Sequence, residues 1–339
     1  MSRRRMPLGI GRHLRVLPGD APRWHEHGRM AERCIFIIQI YYLLTLARLY
    51  SVGHQYTSFS RHPDELMPLW PMAWLPLDAS INDAFSGLVL AMQVIGVLGL
   101  FFWRHFIVRL LVCVAFLQHM TFANLGGAIN HGLHEWFWLS FILLFLPAGL
   151  WRQRDDALSR HQRVGVMTVF AAAGGFILMF YSLSGYYKLR ELVLTEAHGV
   201  YGALHWDSMA QIVGGRMFDT MSDPPLAEFL LNYPILGWPM FMLLYYVEVF
   251  AFIAIFRPVL LKPFAVVLIL FHIGTFLFLD IAFDDHVVIN GLFMLMSPLA
   301  PGGFRVMQTV LALPVIGDVL RVFVGRRWRE TGRAAVPAE

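Results

Sequence analysis

Apolar residues in this chain come in long unbroken runs, not in the alternating or one-face patterns of a water-soluble fold. Eight runs stand out: Cys34–Tyr50, Phe85–Trp103, Phe106–Asn124, Trp136–Trp151, Val164–Lys188, Trp238–Phe256, Lys262–Leu279 and Val287–Leu299. An α-helix needs about 20 apolar residues to cross a bilayer, and most of these runs approach or reach that length. The fourth and eighth are short, which local bilayer thinning or re-entrant backbone accommodates. The pattern predicts an all-α, polytopic integral membrane protein of about eight transmembrane helices. No segment between the runs is long enough for a separate soluble domain. The chain therefore reads as a basic arm (1–33), one membrane domain (34–300) and a tail (301–339). The arm carries eight arginines and no apolar core, so the first span is expected to act as its own uncleaved signal.

Composition agrees with this reading. With 57% hydrophobic and only 15% charged residues, the chain lies outside the range of soluble domains. Placing both termini in the cytoplasm puts all but five of the 27 Lys and Arg residues on the inner side, the exceptions being Arg48, Arg61, Lys188, Arg190 and Arg216. The positive-inside bias then holds at every loop, and anionic lipid accounts for the arginines without any nucleic-acid partner. Acids and histidines lean the other way, so titratable chemistry gathers toward the outer leaflet. The two cysteines, Cys34 and Cys113, sit in apolar runs without a CxxC spacing and form no disulfide framework.

The outer segments differ in character. Residues 51–84 contain Met67-Pro68-Leu69-Trp70-Pro71-Met72-Ala73-Trp74, a run typical of backbone lying at headgroup depth. Residues 189–237 are the largest outer segment and read either as a lid over a pocket or as a plain connector. The stretch Val306–Val324 is interrupted by Pro314 and Gly317, which predicts an amphipathic interfacial helix rather than a ninth span.

Four constellations carry chemistry. Ser184-Gly185-Tyr186-Tyr187-Lys188-Leu189 ends the fifth run. A lysine there is either a base, its charge disfavoured by lost solvation, or a snorkelling interfacial anchor. Asn130-His131-Gly132-Leu133-His134-Glu135 opens the fourth run; it reads as a proton-sharing cluster or as a polar helix start. His131 and His134 lack further ligands at fitting spacing, so no metal is expected. Glu248 lies inside the sixth run and His272 inside the seventh, at similar depth on consecutive helices. Buried ionisable groups need partners, and a Glu248–His272 hydrogen bond is the expected one. No P-loop, dinucleotide fingerprint, GxSxG or zinc-protease signature is present.

A span ending in small residue-Gly-x-x-Lys-Leu (Ser184 to Leu189), preceded by Asn130-His131, resembles the vitamin K-dependent γ-glutamyl carboxylases and their shorter bacterial HTTM relatives. The later Tyr246-Val247-Glu248-Val249 and Leu270-Phe271-His272-Ile273 are similar to that family's Glu-containing and Phe-His spans. The resemblance covers residues 34–300. It implies that a lysine matching Lys188 deprotonates a reduced naphthoquinone (vitamin K or menaquinol), which with O₂ becomes a strong base. That base takes the γ-proton of a glutamate, to which CO₂ adds, and the quinone leaves as an epoxide. It further implies that His131 and Asn130 assist, with Glu248, His272 and Tyr187 shaping the pocket.

Two features depart from the family. Its carboxylases carry a large luminal domain where this chain has residues 301–339, and the tryptophan expected after the Lys-Leu pair falls late, at Trp206. The resemblance therefore supports the quinol half of the reaction better than carboxylation. The sequence-level expectation is a multi-pass inner-membrane enzyme with its active face outward, acting on a lipophilic quinone and a small secreted peptide. The alternative is a non-enzymatic transporter, or a maturation or immunity partner of such a peptide.

Overall fold

The computed structural model describes residues 21–56, 67, 69–74, 81–125, 134–147, 159–197, 205–300 and 302–323. All regular structure among them is helical. The helices are α1 (Ala21–Tyr56), α2 (Ile81–Phe102), α3 (Phe106–Ala123), α4 (His134–Leu143), α5 (Arg160–Ala197), α6 (Ser208–Thr220), α7 (Ala227–Asn232), α8 (Pro234–Phe250), α9 (Ile253–Phe256), α10 (Leu261–Leu279), α11 (Asp284–Asn290) and α12 (Val306–Ala312). A last helix, α13, runs from Ile316 to Phe323.

Five stretches among the described residues are long and apolar enough to cross a membrane: Glu26–Arg48, Asp83–Phe102, Phe106–Ala123, His161–Glu191 and Pro258–Leu279. They coincide with the first, second, third, fifth and seventh apolar runs. The other three runs fall on shorter helices. The sixth is divided where α8 ends at Phe250 and the chain turns before α9, and the eighth folds as α11 followed by a π-helical turn, Gly291–Leu295. Exposed positions on the long helices are strongly apolar: Leu44, Leu90, Phe101 and Ile107 are each more than 60% exposed, as lipid-facing side chains are.

The chain forms two compact units, one of residues 14–173 and the other from Gly174 onward. In the first, an aromatic knot joins α1, α3 and α4. Tyr42 packs on Phe116 at 4.5 Å between ring centroids and on Trp136 at 5.5 Å, while Tyr41 stacks on Trp136 at 4.6 Å. Arg109 looks from its sequence position like an ordinary inner-face charge, yet it is buried. Its guanidinium donates to the carbonyls of Leu144 (3.2 Å) and Leu146 (2.8 Å), oxygens that the end of α4 leaves unpaired, and reaches those of Trp103 and Arg104. Cys34 and Cys113 are both buried, and neither forms a disulfide among the described residues. Ser159 and Gln162 bond each other's backbone N–H groups at 2.9 and 3.3 Å, a capping box that starts α5.

In the second unit, α10 buries Leu261, Phe264, Leu268, His272, Thr275 and Phe278, a single helical stripe in which His272 holds a core position. Leu244, Val247 and Glu248 lie along the buried side of α8. The tail bends by 106° between α12 and α13, at the Pro314–Gly317 interruption that the sequence marks. A β-carbon on Gly317 would stand 2.4 Å from the Leu311 carbonyl oxygen, so the turn admits only glycine. The turn is pinned by the Tyr246 hydroxyl on the Pro314 carbonyl (2.7 Å) and by Arg257 on that of Ala312 (2.7 Å).

Candidate functional site

The site grows from one stripe of α5. Tyr181, Gly185 and Lys188 recur at i, i+4 and i+7 and so share a face. Gly185 decides what that face can meet. A β-carbon there would stand 2.6 Å from the Val249 nitrogen and 2.8 Å from the Glu248 carbonyl carbon, so the α5 and α8 backbones touch at a point where no other residue fits. Beside this contact, Ser182 accepts the Phe252 N–H at 2.9 Å and donates to the Val249 carbonyl at 3.3 Å. Those bonds secure the place where α8 stops.

One turn beyond Gly185, Lys188 reaches the Glu248 carboxylate with Nζ 2.6 Å from both oxygens. The Glu248 side chain is 2% exposed and that of Lys188 34%, so the pair runs from the interior of the unit to its surface. The amine stands 5.9 Å from the Tyr245 ring and 5.6 Å from the Phe271 ring, within range of attraction to both π faces.

Glu248 therefore pairs with Lys188, and not with His272 as expected. The close approach at Gly185 delivers the amine to the carboxylate, while His272 turns to a different partner. Its Nε2 lies 2.7 Å from the Tyr181 hydroxyl, which accepts a hydrogen bond from the Asn290 amide at 2.7 Å. The His286 and Phe283 rings pack against the same imidazole at 4.9 and 5.3 Å.

Next to this cluster lies an apolar cavity of about 230 Å³, walled by α6, α8 and α10 through residues such as Met209, Met240, Leu244 and Phe278. Phe271 belongs both to this wall and to the surroundings of the Lys188 amine. Thr275 also lines it, but its hydroxyl is turned to the His272 carbonyl at 2.7 Å. The wall thus presents hydrocarbon, aromatic carbon and thioether sulfur.

Comparison with protein-family models, curated proteins and solved structures finds no match for this chain.

Of the residues singled out from sequence, the structure brings Lys188, Glu248 and His272 into one unit. Tyr187 is 57% exposed and packs on Tyr186 at 5.8 Å, while Tyr245 takes the place beside the amine. Asn130 and His131 lie outside the described residues, and His134 opens α4. Among the described residues no three His, Cys, Asp or Glu side chains converge as metal ligands would. Tyr181, Asn290 and Tyr245 were not singled out from sequence, and Phe271 entered only as the neighbour of His272 in a motif. The one signal for Tyr181 was its place two turns before Lys188 on the same face.

Proposed function

We propose that the chain is a membrane enzyme that takes a proton from a reduced naphthoquinone, with Lys188 as the base. The observation that carries this reading is the Lys188–Glu248 pair, 2.6 Å apart, set beside an apolar cavity through the shared ring of Phe271.

An ammonium and a carboxylate in contact in a poorly solvated site exchange a proton readily, because the neutral amine and neutral acid avoid the desolvation penalty of two charges. Passing a proton from Lys188 to Glu248 leaves a free amine, the form in which a lysine accepts a proton from a hydroxyl. Glu248 is suited to hold that proton because it is the buried member of the pair. The cavity wall fits a fused aromatic ring or an isoprenoid chain and offers nothing to a phosphate or sugar. Met240, Leu244, Phe271 and Phe278 would hold such a group. When bound, the reduced quinone would supply an acidic phenolic hydroxyl and the electrons that O₂, the oxidant, accepts. By the resemblance to the vitamin K-dependent carboxylases, His131 and Asn130 assist Lys188. The same resemblance implies a pocket toward the outer side of a bacterial inner membrane, and the positive-inside bias supports cytoplasmic termini. The resemblance extends the reaction, with CO₂, to proton abstraction from a glutamate or similar acid in a secreted peptide.

Purified protein given reduced menaquinone and O₂ is expected to form the quinone epoxide, detected by chromatography and mass spectrometry. Lys188→Ala is expected to lower the rate about 10²-fold or more, the usual contribution of a positioned base. Equal epoxide from wild type and variant would remove Lys188 from the reaction. A proton-coupled transporter is the second reading, favoured by the same intramembrane Lys–Glu pair. Lipids extracted with the protein separate the two: enrichment in a naphthoquinone supports the enzyme, and its absence supports the transporter.

A further inference from the structure

One polar cluster belongs to the first unit and takes no part in the chemistry proposed for Lys188. Gln39 and Tyr42 of α1, Arg109 of α3 and Ser140 of α4 line a small cavity of about 10 Å³. All four are more than nine-tenths buried. Membrane-spanning helices seldom gather so many polar side chains at one point without a use for them.

Three polar atoms of this cluster make no hydrogen bond among the described residues: Gln39 Oε1, the Tyr42 hydroxyl oxygen and Arg109 Nε. The two Nη groups of Arg109 are committed to the carbonyls of Trp103, Arg104, Leu144 and Leu146. Its Nε–H therefore cannot swing toward Gln39 without giving those bonds up. Ser140 neighbours the Tyr42 hydroxyl, but its own hydrogen goes to the Trp136 and Phe137 carbonyls, at 2.7 and 2.9 Å. Tyr42 can thus present either its hydrogen or a lone pair to the cavity.

A buried donor and a buried acceptor left unmet each carry a desolvation penalty. Cavities that stay dry are apolar, whereas those lined by such groups hold water, and about 10 Å³ is room for one molecule. Water also matches the chemistry on every side. It accepts from the Arg109 Nε–H, donates to Gln39 Oε1, and either donates to or accepts from Tyr42. A halide ion would answer the guanidinium but would face the Gln39 oxygen as one acceptor against another.

We propose that this cavity is a binding site for a single water molecule, which joins Gln39 and Tyr42 of α1 to Arg109 of α3. The water completes the bonding of Arg109, so that α1 is tied through it to the carbonyls at the end of α4. The site stands whether or not the chain acts on a quinone.

Crystals of the full-length protein grown in sodium bromide test the proposal, with data collected at the bromine absorption edge and at a resolution that shows ordered waters. The expected result is a density peak about 2.7–3.2 Å from Gln39 Oε1, Tyr42 Oη and Arg109 Nε, without anomalous signal. An anomalous peak assigns the site to a halide and overturns the proposal. No peak, where other interior waters are visible, overturns it equally. Thermal unfolding supplies a second reading through its sign. Gln39→Met keeps the length of the side chain and removes the acceptor. With water bound, the variant should melt at a lower temperature than the wild type and should lose the peak. In a dry cavity the same change removes an unmet oxygen, so an unchanged or raised melting temperature overturns the proposal.

Discussion

Gly185 and Glu248 meet backbone to backbone, with 2.8 Å between the place of a β-carbon on the glycine and the Glu248 carbonyl carbon. This contact is the hinge of the site. It fixes the spacing of α5 and α8, and Lys188 reaches the carboxylate because that spacing is short. Gly185→Ala is expected to push the helices apart, to break the ion pair and to lower stability by about 1–3 kcal/mol, the usual cost of overpacking. Gly215→Ala in α6 is the control: nothing stands within 4 Å of its β-carbon, so it should be neutral or stabilising by up to about 1 kcal/mol. Unfolding of the two variants in matched detergent distinguishes a local wedge from a general effect of alanine.

The ion pair predicts a non-additive mutant cycle. Glu248→Gln leaves the Lys188 ammonium without its counter-charge, and Lys188→Met strands a buried carboxylate. Removing one member of a buried pair costs about 3–5 kcal/mol, an upper bound here because Lys188 is partly solvated. The double variant Lys188→Met, Glu248→Gln is expected to lose less than the two single losses combined. A cycle that closes additively would show that the two charges do not act on one another.

Filling the cavity tests ligand binding without touching the charges. Gly274 lines it, and a β-carbon there would meet only Phe278, at 3.8 and 3.9 Å. Gly274→Leu should keep or raise thermal stability, since it removes a glycine from the interior of α10. It should raise the KM for a reduced naphthoquinone about tenfold or more. An unchanged KM would place the quinone elsewhere.

Arg109 should matter for folding alone. Its guanidinium satisfies carbonyls that would otherwise be buried and bare, and hydrogen bonds to a charged donor contribute about 1.5–3 kcal/mol each. Arg109→Ala is expected to destabilise by at least about 2 kcal/mol on that scale. Arg109→Lys should recover only part, because one ammonium cannot span the Leu144 and Leu146 oxygens together with those of Trp103 and Arg104. Loss of soluble yield, with normal KM in whatever folds, is the expected signature.

Outside the spans, His205 bonds the carboxylate of Asp207 at the start of α6. That bond is the largest cause holding the Asp207 carboxyl below its ordinary value of 3.8. A lowered carboxyl contributes stability above its unfolded value, and the contribution disappears as pH falls through the lower folded one. Asp207→Asn should therefore flatten the acid limb of the stability profile below about pH 4. The loss near neutral pH should be small, because the Asp207 side chain is still partly exposed and solvent screens the interaction.

The membrane character of the chain was legible in its sequence because apolar runs of spanning length have few other uses. Lys188, Glu248 and His272 were legible for the converse reason, as ionisable groups that such runs seldom carry. Their pairing was not. Lying at similar depth on consecutive helices says nothing of rotation about each axis, and Gly185 determines which helix Glu248 faces. The full length of α5 was not legible either. The apolar run stops at Lys188, but the helix goes on to Ala197, because exposed polar residues such as Glu191 sustain a helix beyond the apolar zone. Tyr181 and Asn290 were missed since a tyrosine and an asparagine in apolar surroundings look ordinary until their hydroxyl and amide are seen to join.

The π-helical turn from Gly291 to Leu295 begins at the residue after Asn290. A π turn is an α-helix with one residue inserted, so its register depends on chain length as well as on side-chain type. Deleting a single residue there would restore ordinary winding with the flanking segments close to register, whereas deleting one from α11 would swing one side by roughly 100° relative to the other. The amide that steadies His272 would then leave its place. Single-residue deletions should thus be tolerated better in the π turn than in the α-helical residues just before it.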